Sequence, residues 1–231
     1  KPIVVTNNDF RFVCGEQLAA LGIEADIVLE PMRRDSAPAV AVGALLAEAR
    51  AGDVVCLILA ADHVIENEAA FVADCERAAA IAARGRIMTL GIKPTTPSSA
   101  YGYIHPTEKS LGDGAYAIER FVEKPDRETA ERYMAEGYLW NSGNFAFSVG
   151  TMLSELERLA PDVLSATRKA VEESQRDLDF LRLGESAFAA SPTISIDYAV
   201  MEKTKTGGVL SASFGWSDVG SWDALHDIKP Q

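Results

Sequence analysis

The sequence predicts an α/β fold in which a mixed, mainly parallel sheet is flanked by helices. In the first half, short β-branched runs alternate with longer helical patterns, which is typical of parallel strands joined by crossover helices. In the second half, strand-like runs are separated by glycines, which favours hairpins. The chain has 231 residues, of which 48% are apolar. That is enough to bury one substantial core, so we expect one main domain.

The elements of the first half follow from hydrophobic periodicity. Strands are predicted at residues 3–6, 27–29, 54–60 and 87–92, and helices at 10–21, 37–50 and 69–84. Pro38 falls in the first turn of the second helix, where a missing N–H costs little. The run 54–60 is apolar throughout, so we expect a central strand that is covered on both faces.

The second half has a more mixed pattern. The runs 101–105 and 115–122 are predicted to form a hairpin at a mixed edge of the sheet. A helix is expected at 126–136, a strand at 139–147 and a mainly helical stretch at 149–190. A further strand at 209–213 precedes a loop at 216–220.

Charge and cysteine content exclude several classes of function. Lys and Arg total 22 against 34 Asp and Glu, a net charge of -12, which disfavours binding to a nucleic-acid backbone. The three cysteines lack metal-ligand spacing, and an odd number argues against a disulfide framework. No apolar run is long enough to cross a bilayer. We therefore expect a cytoplasmic protein without nucleic-acid or membrane partners; a homodimer is compatible with the sequence, which does not determine the oligomeric state.

Two aspartates are candidate metal ligands. Asp62 follows the carboxyl end of the predicted strand 54–60, the position at which open α/β sheets present ligands. Asp218 lies in a loop flanked by Gly215 and Gly220 and is a second carboxylate that could complete a Mg²⁺ site. Each aspartate could equally cap a turn or a helix.

Two further segments have side chains suited to a sugar phosphate. Glu123 and Lys124 end a predicted strand, and they could accept hydrogen bonds from hydroxyls and neutralise a phosphate. The alternative is an ordinary strand exit before Pro125. Asn141 offers a donor and an acceptor, and Gly143 permits a close backbone approach. The alternative there is a turn or bulge.

Three segments carry weaker signals. Small residues at the start of the helix at Ala37 and Pro38 leave room for a flat base, and Arg33 or Arg34 could contact phosphate. A solvated loop with an ordinary cap explains the same pattern. Gly102 could present its backbone to a ligand, and Asp197 could belong to a polar site or cap the helical turn that follows it.

Taken in order, these segments resemble the mannose-1-phosphate guanylyltransferase family of sugar nucleotidyltransferases. The resemblance covers nearly the whole chain, and it lies in the segments 30–39, 59–65, 121–125 with 140–145, 195–202 and 214–222. It implies a Rossmann-like fold of the nucleotide-diphospho-sugar transferase type. It also implies a reaction of GTP with mannose 1-phosphate that yields GDP-mannose and pyrophosphate, a step in polysaccharide biosynthesis.

The resemblance also implies a role for each matching residue. Asp62 and Asp218 would hold Mg²⁺, and Lys124 would bind the sugar phosphate. The mannose would contact Glu123, Asn141, Asp197 and the backbone of Gly102. The nucleotide would lie beside Arg33, Ala37, Pro38 and Asp62.

The chain departs from the family pattern at its start. Family members have a Gly-rich, Arg-containing loop and a lysine upstream of the position of Lys1, and many have a carboxy-terminal domain. We therefore expect residues 1–231 to be an N-terminally incomplete nucleotidyltransferase domain with weak or no activity, since each lost charge-assisted hydrogen bond is worth about 1.5–3 kcal/mol. A smaller departure is alanine at 60 or 61, where proline is usual.

Two other interpretations stay open at this point. The first is a related sugar-1-phosphate nucleotidyltransferase of different specificity, because base and sugar choice rest on a few contacts. The second is a non-catalytic module that binds sugar phosphates.

Overall fold

The structure is a computed structural model that describes residues 1–219. The chain forms two compact units. Unit 1 consists of Lys1–Val54 and Met152–Lys203, and unit 2 consists of Val55–Thr151 and the chain from Thr204 onward. Both combine strands with helices, which confirms the α/β class.

Strands and helices alternate along most of the chain. The strands are β1 Ile3–Asn7, β2 Asp26–Glu30, β3 Val55–Ile58, β4 Val64–Ile65, β5 Ile87–Ile92, β6 Tyr103–Gly112, β7 Ala115–Val122, β8 Leu139–Ser148, β9 Gln175–Asp177, β10 Phe180–Arg182, β11 Gly207–Ser211 and β12 Trp216–Ser217. The helices are α1 Arg11–Ala20, α2 Ser36–Ala51, α3 Glu68–Ala82, α4 Arg127–Ala135, α5 Val149–Leu159, α6 Pro161–Glu172 and α7 Glu185–Ala189, together with a 3-10 turn at Asn8–Phe10 and a π-helix at Asp197–Met201. No helix within residues 1–219 is long and apolar enough to cross a membrane.

Unit 1 contains a four-stranded sheet in the order β1-β2-β10-β9. Strand β2 is parallel to both β1 and β10. Because side chains alternate between the faces of a strand, Ile27 and Leu29 pack with Leu18 of α1, whereas Val28 packs with Val42 of α2 and Phe188 of α7. Helices therefore cover β2 on both faces, and its carboxyl end leads into the segment 30–39.

Unit 2 contains a mixed six-stranded sheet in the order β3-β8-β5-β11-β7-β6 and a two-stranded ladder of β12 and β4. Helix α3 packs on the sheet through Cys75, Ala78 and Ala82. Helix α4 packs elsewhere on the unit through Ala130 and Tyr133, in a cluster that includes Trp140. The hairpin predicted from 101–105 and 115–122 is confirmed, since β6 and β7 pair antiparallel.

The prediction of a central strand at 54–60 is wrong. Strand β3 is the last strand of its sheet within the described residues, and it pairs antiparallel with β8. Val55, Leu57 and Leu59 are exposed to 37%, 41% and 47%. An unbroken apolar run shows that a strand is apolar on both faces, but it does not show that both faces are covered.

The prediction that 149–190 is mainly helical is only partly right. Two short strands, β9 and β10, interrupt the helices, and β10 pairs with β2 over Phe180–Arg182. Three-residue strands are too short to show an alternating pattern. Their position is set by pairing with a strand distant in sequence, which a local pattern does not record.

A buried carboxylate connects α3 to the chain after β11. Asp74 is fully buried and accepts hydrogen bonds from the backbone N–H of Ser213 at 2.7 Å and from its hydroxyl at 3.0 Å. It also forms an ion pair with Arg77. Buried charges are tolerated when they are paired and hydrogen-bonded in this way. The contact fixes the start of the segment that leads to Trp216 and Asp218.

We predict that Asp74→Ala lowers the free energy of unfolding by about 2–4 kcal/mol, because it leaves the Ser213 N–H without its acceptor and removes the partner of Arg77. Urea unfolding followed by circular dichroism measures this. Glu76→Ala, an exposed position on the same helix, is the control and should change stability by no more than about 0.5 kcal/mol. Equal effects of the two substitutions would contradict the structural role of Asp74.

Candidate functional site

Asp62 and Asp218 lie at the same end of the β4–β12 ladder in unit 2. The ladder is antiparallel and pairs Trp216 with Ile65 and Ser217 with Val64. Asp218 follows β12 directly, and Asp62 precedes β4 by two residues. Continuing the pairing in the same direction brings Asp218 towards His63. The ladder therefore brings together two carboxylates from distant parts of the chain.

The charges of both carboxylates affect the pKa of His63. Burial lowers the pKa of His63, and the negative charges of Asp62 and Asp218 both oppose that effect. The indole N–H of Trp216 donates to Nδ1 of His63 at 3.2 Å. Nδ1 is then the acceptor, so in the neutral ring the proton lies on Nε2. The lowered pKa favours the neutral form of His63.

Tyr101 holds the second carboxylate. Its hydroxyl donates to Oδ1 of Asp218 at 2.8 Å, and its ring packs edge-on against Trp140 and Trp216. Burial, followed by the hydrogen bond to Asp218, raises the pKa of Tyr101 to about 12. The hydroxyl therefore remains a donor throughout the neutral range. The indole nitrogen of Trp140 is buried and has no hydrogen-bond partner among the described residues.

Glu123 and Lys124 lie next to Tyr101 and Gly102. The side chain of Glu123 is only 10% exposed, whereas that of Lys124 is 61% exposed, and their charged groups are 3.7 Å apart. A Cβ at Gly102 would lie 2.5 Å from Oε2 of Glu123 and 3.2 Å from the ring of Phe121. A side chain at 102 would displace the Glu123 carboxylate, so Gly102 allows that carboxylate to sit against the backbone.

Asn141 shapes a bulge in β8. Thr89 pairs with Phe145 and Gly91 with Asn141, so β8 carries two more residues than β5 over this interval. The oxygen of the Asn141 amide accepts hydrogen bonds from Thr89 at 2.8 Å and from the N–H of Gly143 at 3.2 Å. The turn or bulge that is the alternative to a binding role is therefore present. It places Gly143, with a φ of 72°, beside the ring of His63.

Six predicted site residues therefore lie in unit 2: Asp62, Gly102, Glu123, Lys124, Asn141 and Asp218. The backbone N–H of Asn141 donates to the carbonyl of Gly102 at 2.8 Å, and that of Lys124 donates to the carbonyl of Tyr101 at 3.3 Å. Their assigned roles in binding stay predictions. Gly220 and the Ser221–Trp222 part of the last motif lie outside the described residues.

The remaining predicted residues lie in unit 1, where two motifs distant in sequence meet. The N–H of Ala37 donates to the carbonyl of Ile194, and the N–H of Ile196 donates to the hydroxyl of Ser36. The segment of Arg33, Ala37 and Pro38 is thus tied to the segment that begins the π-helix at Asp197. Ala37 and Pro38 are buried, whereas Arg33 is exposed.

The two neighbouring arginines differ in their contacts. The guanidinium of Arg34 donates to the carbonyl of Ala189 at 2.5 Å and to the hydroxyl of Thr193 at 3.1 Å. The side chain of Arg34 therefore holds the segment after β2 in place. The side chain of Arg33 makes no hydrogen bond or ion pair within residues 1–219, so it is the arginine that could reach a phosphate.

Glu30 is a residue of this region that sequence reasoning did not single out. It ends β2, and its Oε1 is buried with no hydrogen-bond partner among the described residues. Burial raises its pKa to about 7. A carboxylate oxygen that is buried without a partner costs stability, and such groups concentrate at functional sites. The sequence shows an acid before a proline, which does not reveal burial.

Comparisons with known proteins show the family of the chain. A model of the family described as "Nucleotidyl transferase" matches residues 1–231. The chain is 51% identical over 232 residues to the xanthan biosynthesis protein XanB of Xanthomonas campestris pv. campestris, covering 100% of this chain and 49% of that protein. It is 46% identical over 230 residues to a putative mannose-1-phosphate guanylyltransferase of Vibrio cholerae serotype O1, covering 99% of this chain and 49% of that protein.

A solved structure shows the same fold. The crystal structure described as mannose-1-phosphate geranyltransferase from Thermus thermophilus matches with a TM-score of 0.85 and 34% identity, covering 99% of this chain and 64% of that chain. The fold type implied by the sequence resemblance is confirmed, as is the resemblance itself. The chain spans about half the length of the curated relatives it matches. It belongs to the nucleotidyl transferase family.

Proposed function

We propose that this chain is part of a mannose-1-phosphate guanylyltransferase, which makes GDP-mannose and pyrophosphate from GTP and mannose 1-phosphate. The observation that carries the proposal is the β4–β12 ladder, which brings Asp62 and Asp218 to its same end, in the unit that also holds the exposed cation of Lys124. The name of the Vibrio cholerae relative supports the choice of substrates.

The proposed reaction is an in-line displacement at phosphorus. A phosphate oxygen of mannose 1-phosphate attacks the α-phosphorus of GTP, and the bond to the β-phosphate oxygen breaks, so that pyrophosphate leaves with the bonding electrons. The attacking oxygen is already an anion, so no general base is required. The task of the protein is to align two groups that repel each other and to neutralise their charge.

The donor set around Asp62 and Asp218 fits Mg²⁺. No group of three or more His, Cys, Asp or Glu side chains within the described chain is arranged to hold a metal. Mg²⁺ is usually held by one or two carboxylates together with substrate phosphates and water, so two aspartates are enough. The ion would supply charge neutralisation at the reacting phosphates.

The sugar phosphate is assigned to Lys124 and its neighbours. The ammonium group of Lys124 is exposed and would bind the phosphate, while Glu123 would accept hydrogen bonds from the mannose hydroxyls. The backbone of Gly102 lies against the Glu123 carboxylate, so it is close to the proposed sugar contacts. Asn141 completes the proposed sugar contacts in unit 2 and also holds the bulge of β8. The contact proposed for Asp197, which lies in unit 1, stays a prediction.

The nucleotide is assigned to the segment that follows β2 in unit 1. The nucleotide contact of Asp62, which lies in unit 2, stays a prediction. Arg33 would bind phosphate, and the small residues Ala37 and Pro38 leave space for the base. We add Glu30, since the N1–H and 2-amino groups of guanine are donors that complement a carboxylate with an unpartnered oxygen. Cytoplasmic localisation and a homodimer stay predictions.

We predict that the chain binds GDP-mannose in the presence of Mg²⁺ and that Asp218→Asn weakens this binding at least tenfold, because a neutral amide is a poor ligand for a hard cation. Isothermal titration calorimetry with GDP-mannose, with and without Mg²⁺, measures both effects. Binding is measured instead of turnover, because the chain spans about half the length of the curated relatives it matches.

Asp113→Asn is the matched control. Asp113 is an exposed aspartate in the β6–β7 turn of the same unit, and asparagine tolerates its positive φ. Equal binding by the two variants would remove Asp218 from the site. Binding of mannose 1-phosphate that is independent of Mg²⁺, without binding of GDP-mannose, would instead identify a non-catalytic sugar-phosphate module. Tighter binding of another nucleotide sugar would change the proposed specificity.

We predict that Glu30→Gln stabilises the chain while weakening its binding of GMP. The folded state raises the pKa of Glu30 from 4.5 to about 7, so the folded state holds more protons between these values and stability falls as pH rises through them. The full shift would correspond to about 3 kcal/mol. Solvent screening of this partly exposed group reduces the expected gain of Glu30→Gln above pH 7 to about 1–2 kcal/mol.

Urea unfolding at pH 4.5 and pH 8, with calorimetry of GMP binding at pH 8, tests this prediction. The gain should be present at pH 8 and absent at pH 4.5, where the native carboxyl is protonated. Glu16→Gln, an exposed position on α1, should change neither quantity. If Glu30→Gln bound GMP as tightly as the unmodified chain, the carboxylate would not contact the base.

A further inference from the structure

We propose that Tyr101 is a positioning residue that holds Asp218 and Lys124 in one geometry, so that the proposed metal ligand and the proposed phosphate-binding lysine depend on a single side chain and its backbone. The inference rests on the proposed function of the same site. No sequence motif assigns Tyr101 a role of its own.

The hydroxyl of Tyr101 restrains one oxygen of the Asp218 carboxylate. The bond to Oδ1 is 2.8 Å long, and a carboxylate has two oxygens that accept independently. Fixing Oδ1 sets the orientation of the whole group. Hydrogen bonds of this kind orient carboxylates that ligate metals, and their loss commonly reduces metal affinity by about 10–100-fold.

The direction of that hydroxyl is set by packing. The ring centroid of Tyr101 lies 4.8 Å from that of Trp140 and 5.4 Å from that of Trp216, and both contacts are edge-on. Trp216 belongs to the β4–β12 ladder that also positions Asp62. A ring held by two indoles cannot rotate away without disrupting both contacts, so the hydroxyl is directed at Asp218 before any ligand binds.

The backbone of Tyr101 supports Lys124. Lys124 has a φ of 48°, a left-handed conformation that costs a residue with a side chain about 1 kcal/mol or more. Its N–H donates to the carbonyl of Tyr101 at 3.3 Å, which helps to offset that cost. The exposed side chain of Lys124 therefore leaves the backbone at a defined point beside Tyr101.

Tyr103 shows what a purely structural tyrosine looks like on the same segment. It is fully buried, and its hydroxyl donates to the backbone carbonyl of Ser98 at 3.0 Å. Tyr101 is partly exposed and directs its hydroxyl at an acid instead. A phenylalanine at 101 would keep the ring contacts, so the hydroxyl serves Asp218 specifically. Tyr103→Phe is the matched control for Tyr101→Phe.

The experiment compares Tyr101→Phe, Tyr103→Phe and Asp218→Asn in two binding assays. Electron paramagnetic resonance of free Mn²⁺, used in place of Mg²⁺ and with GDP-mannose present, gives metal affinity. Calorimetry with mannose 1-phosphate in EDTA gives metal-independent sugar-phosphate affinity. Tyr101→Phe should weaken Mn²⁺ binding about tenfold, equivalent to about 1.4 kcal/mol. It should change mannose 1-phosphate binding less than about twofold, because the backbone carbonyl that accepts from Lys124 remains.

The outcomes separate the inference from the proposed function. Tyr103→Phe should leave Mn²⁺ affinity unchanged. If Asp218→Asn loses Mn²⁺ while Tyr101→Phe binds it like the unmodified chain, the positioning role is overturned and the proposed function stands. If Tyr101→Phe lowers the affinities for Mn²⁺ and for mannose 1-phosphate equally, the residue gives general structural support and the inference fails. The inference also fails if Tyr103→Phe lowers the Mn²⁺ affinity as much as Tyr101→Phe does. If Asp218→Asn keeps its Mn²⁺, or the unmodified chain binds none, the proposed function fails and the inference fails with it.

Discussion

The candidate site depends on holding two like charges near each other in a protein that is already strongly acidic. Asp62 and Asp218 both act on His63, and carboxylates that share a site repel each other unless a cation or hydrogen bonds compensate. The structure supplies rigidity through the β4–β12 ladder, the Trp216–His63 hydrogen bond and the Tyr101–Asp218 hydrogen bond. The remaining charge is what a divalent cation would neutralise, and a phosphate could then approach despite the net charge of -12.

Irregular backbone places the other groups around this pair. The bulge of β8 brings Gly143 to the ring of His63, and Lys124 adopts a left-handed conformation at the end of β7. A side chain at Gly102 would collide with Glu123, and one at Gly215 would collide with Glu66. The left-handed conformation of Lys124 costs stability by itself. The buried carboxylate of Asp74 holds the segment after β11 in place through its hydrogen bond to Ser213.

Sequence periodicity predicted the helices, the β6–β7 hairpin and most strands, because those signals are local. It did not predict the edge position of β3 or the pairing of β10 with β2, since strand order is a property of the whole sheet. Among site residues, the ordered motifs identified Asp62, Lys124 and Asp218 as candidates. Tyr101, Trp216 and Glu30 were missed as individual residues, because hydrogen bonding to a carboxylate, contact between aromatic rings and burial of an acid leave no pattern in neighbouring residues.

The most direct test of the central claim is a crystal structure of the chain with Mn²⁺ and GDP-mannose, with the ion located by its anomalous scattering. We expect one ion that is bound by a carboxylate oxygen of Asp62 and by one of Asp218, each at about 2.1 Å as in the geometry of Mg²⁺. The hydroxyl of Tyr101 should still donate to the Asp218 carboxylate. An ion bound by only one of these aspartates, or by neither, would contradict it.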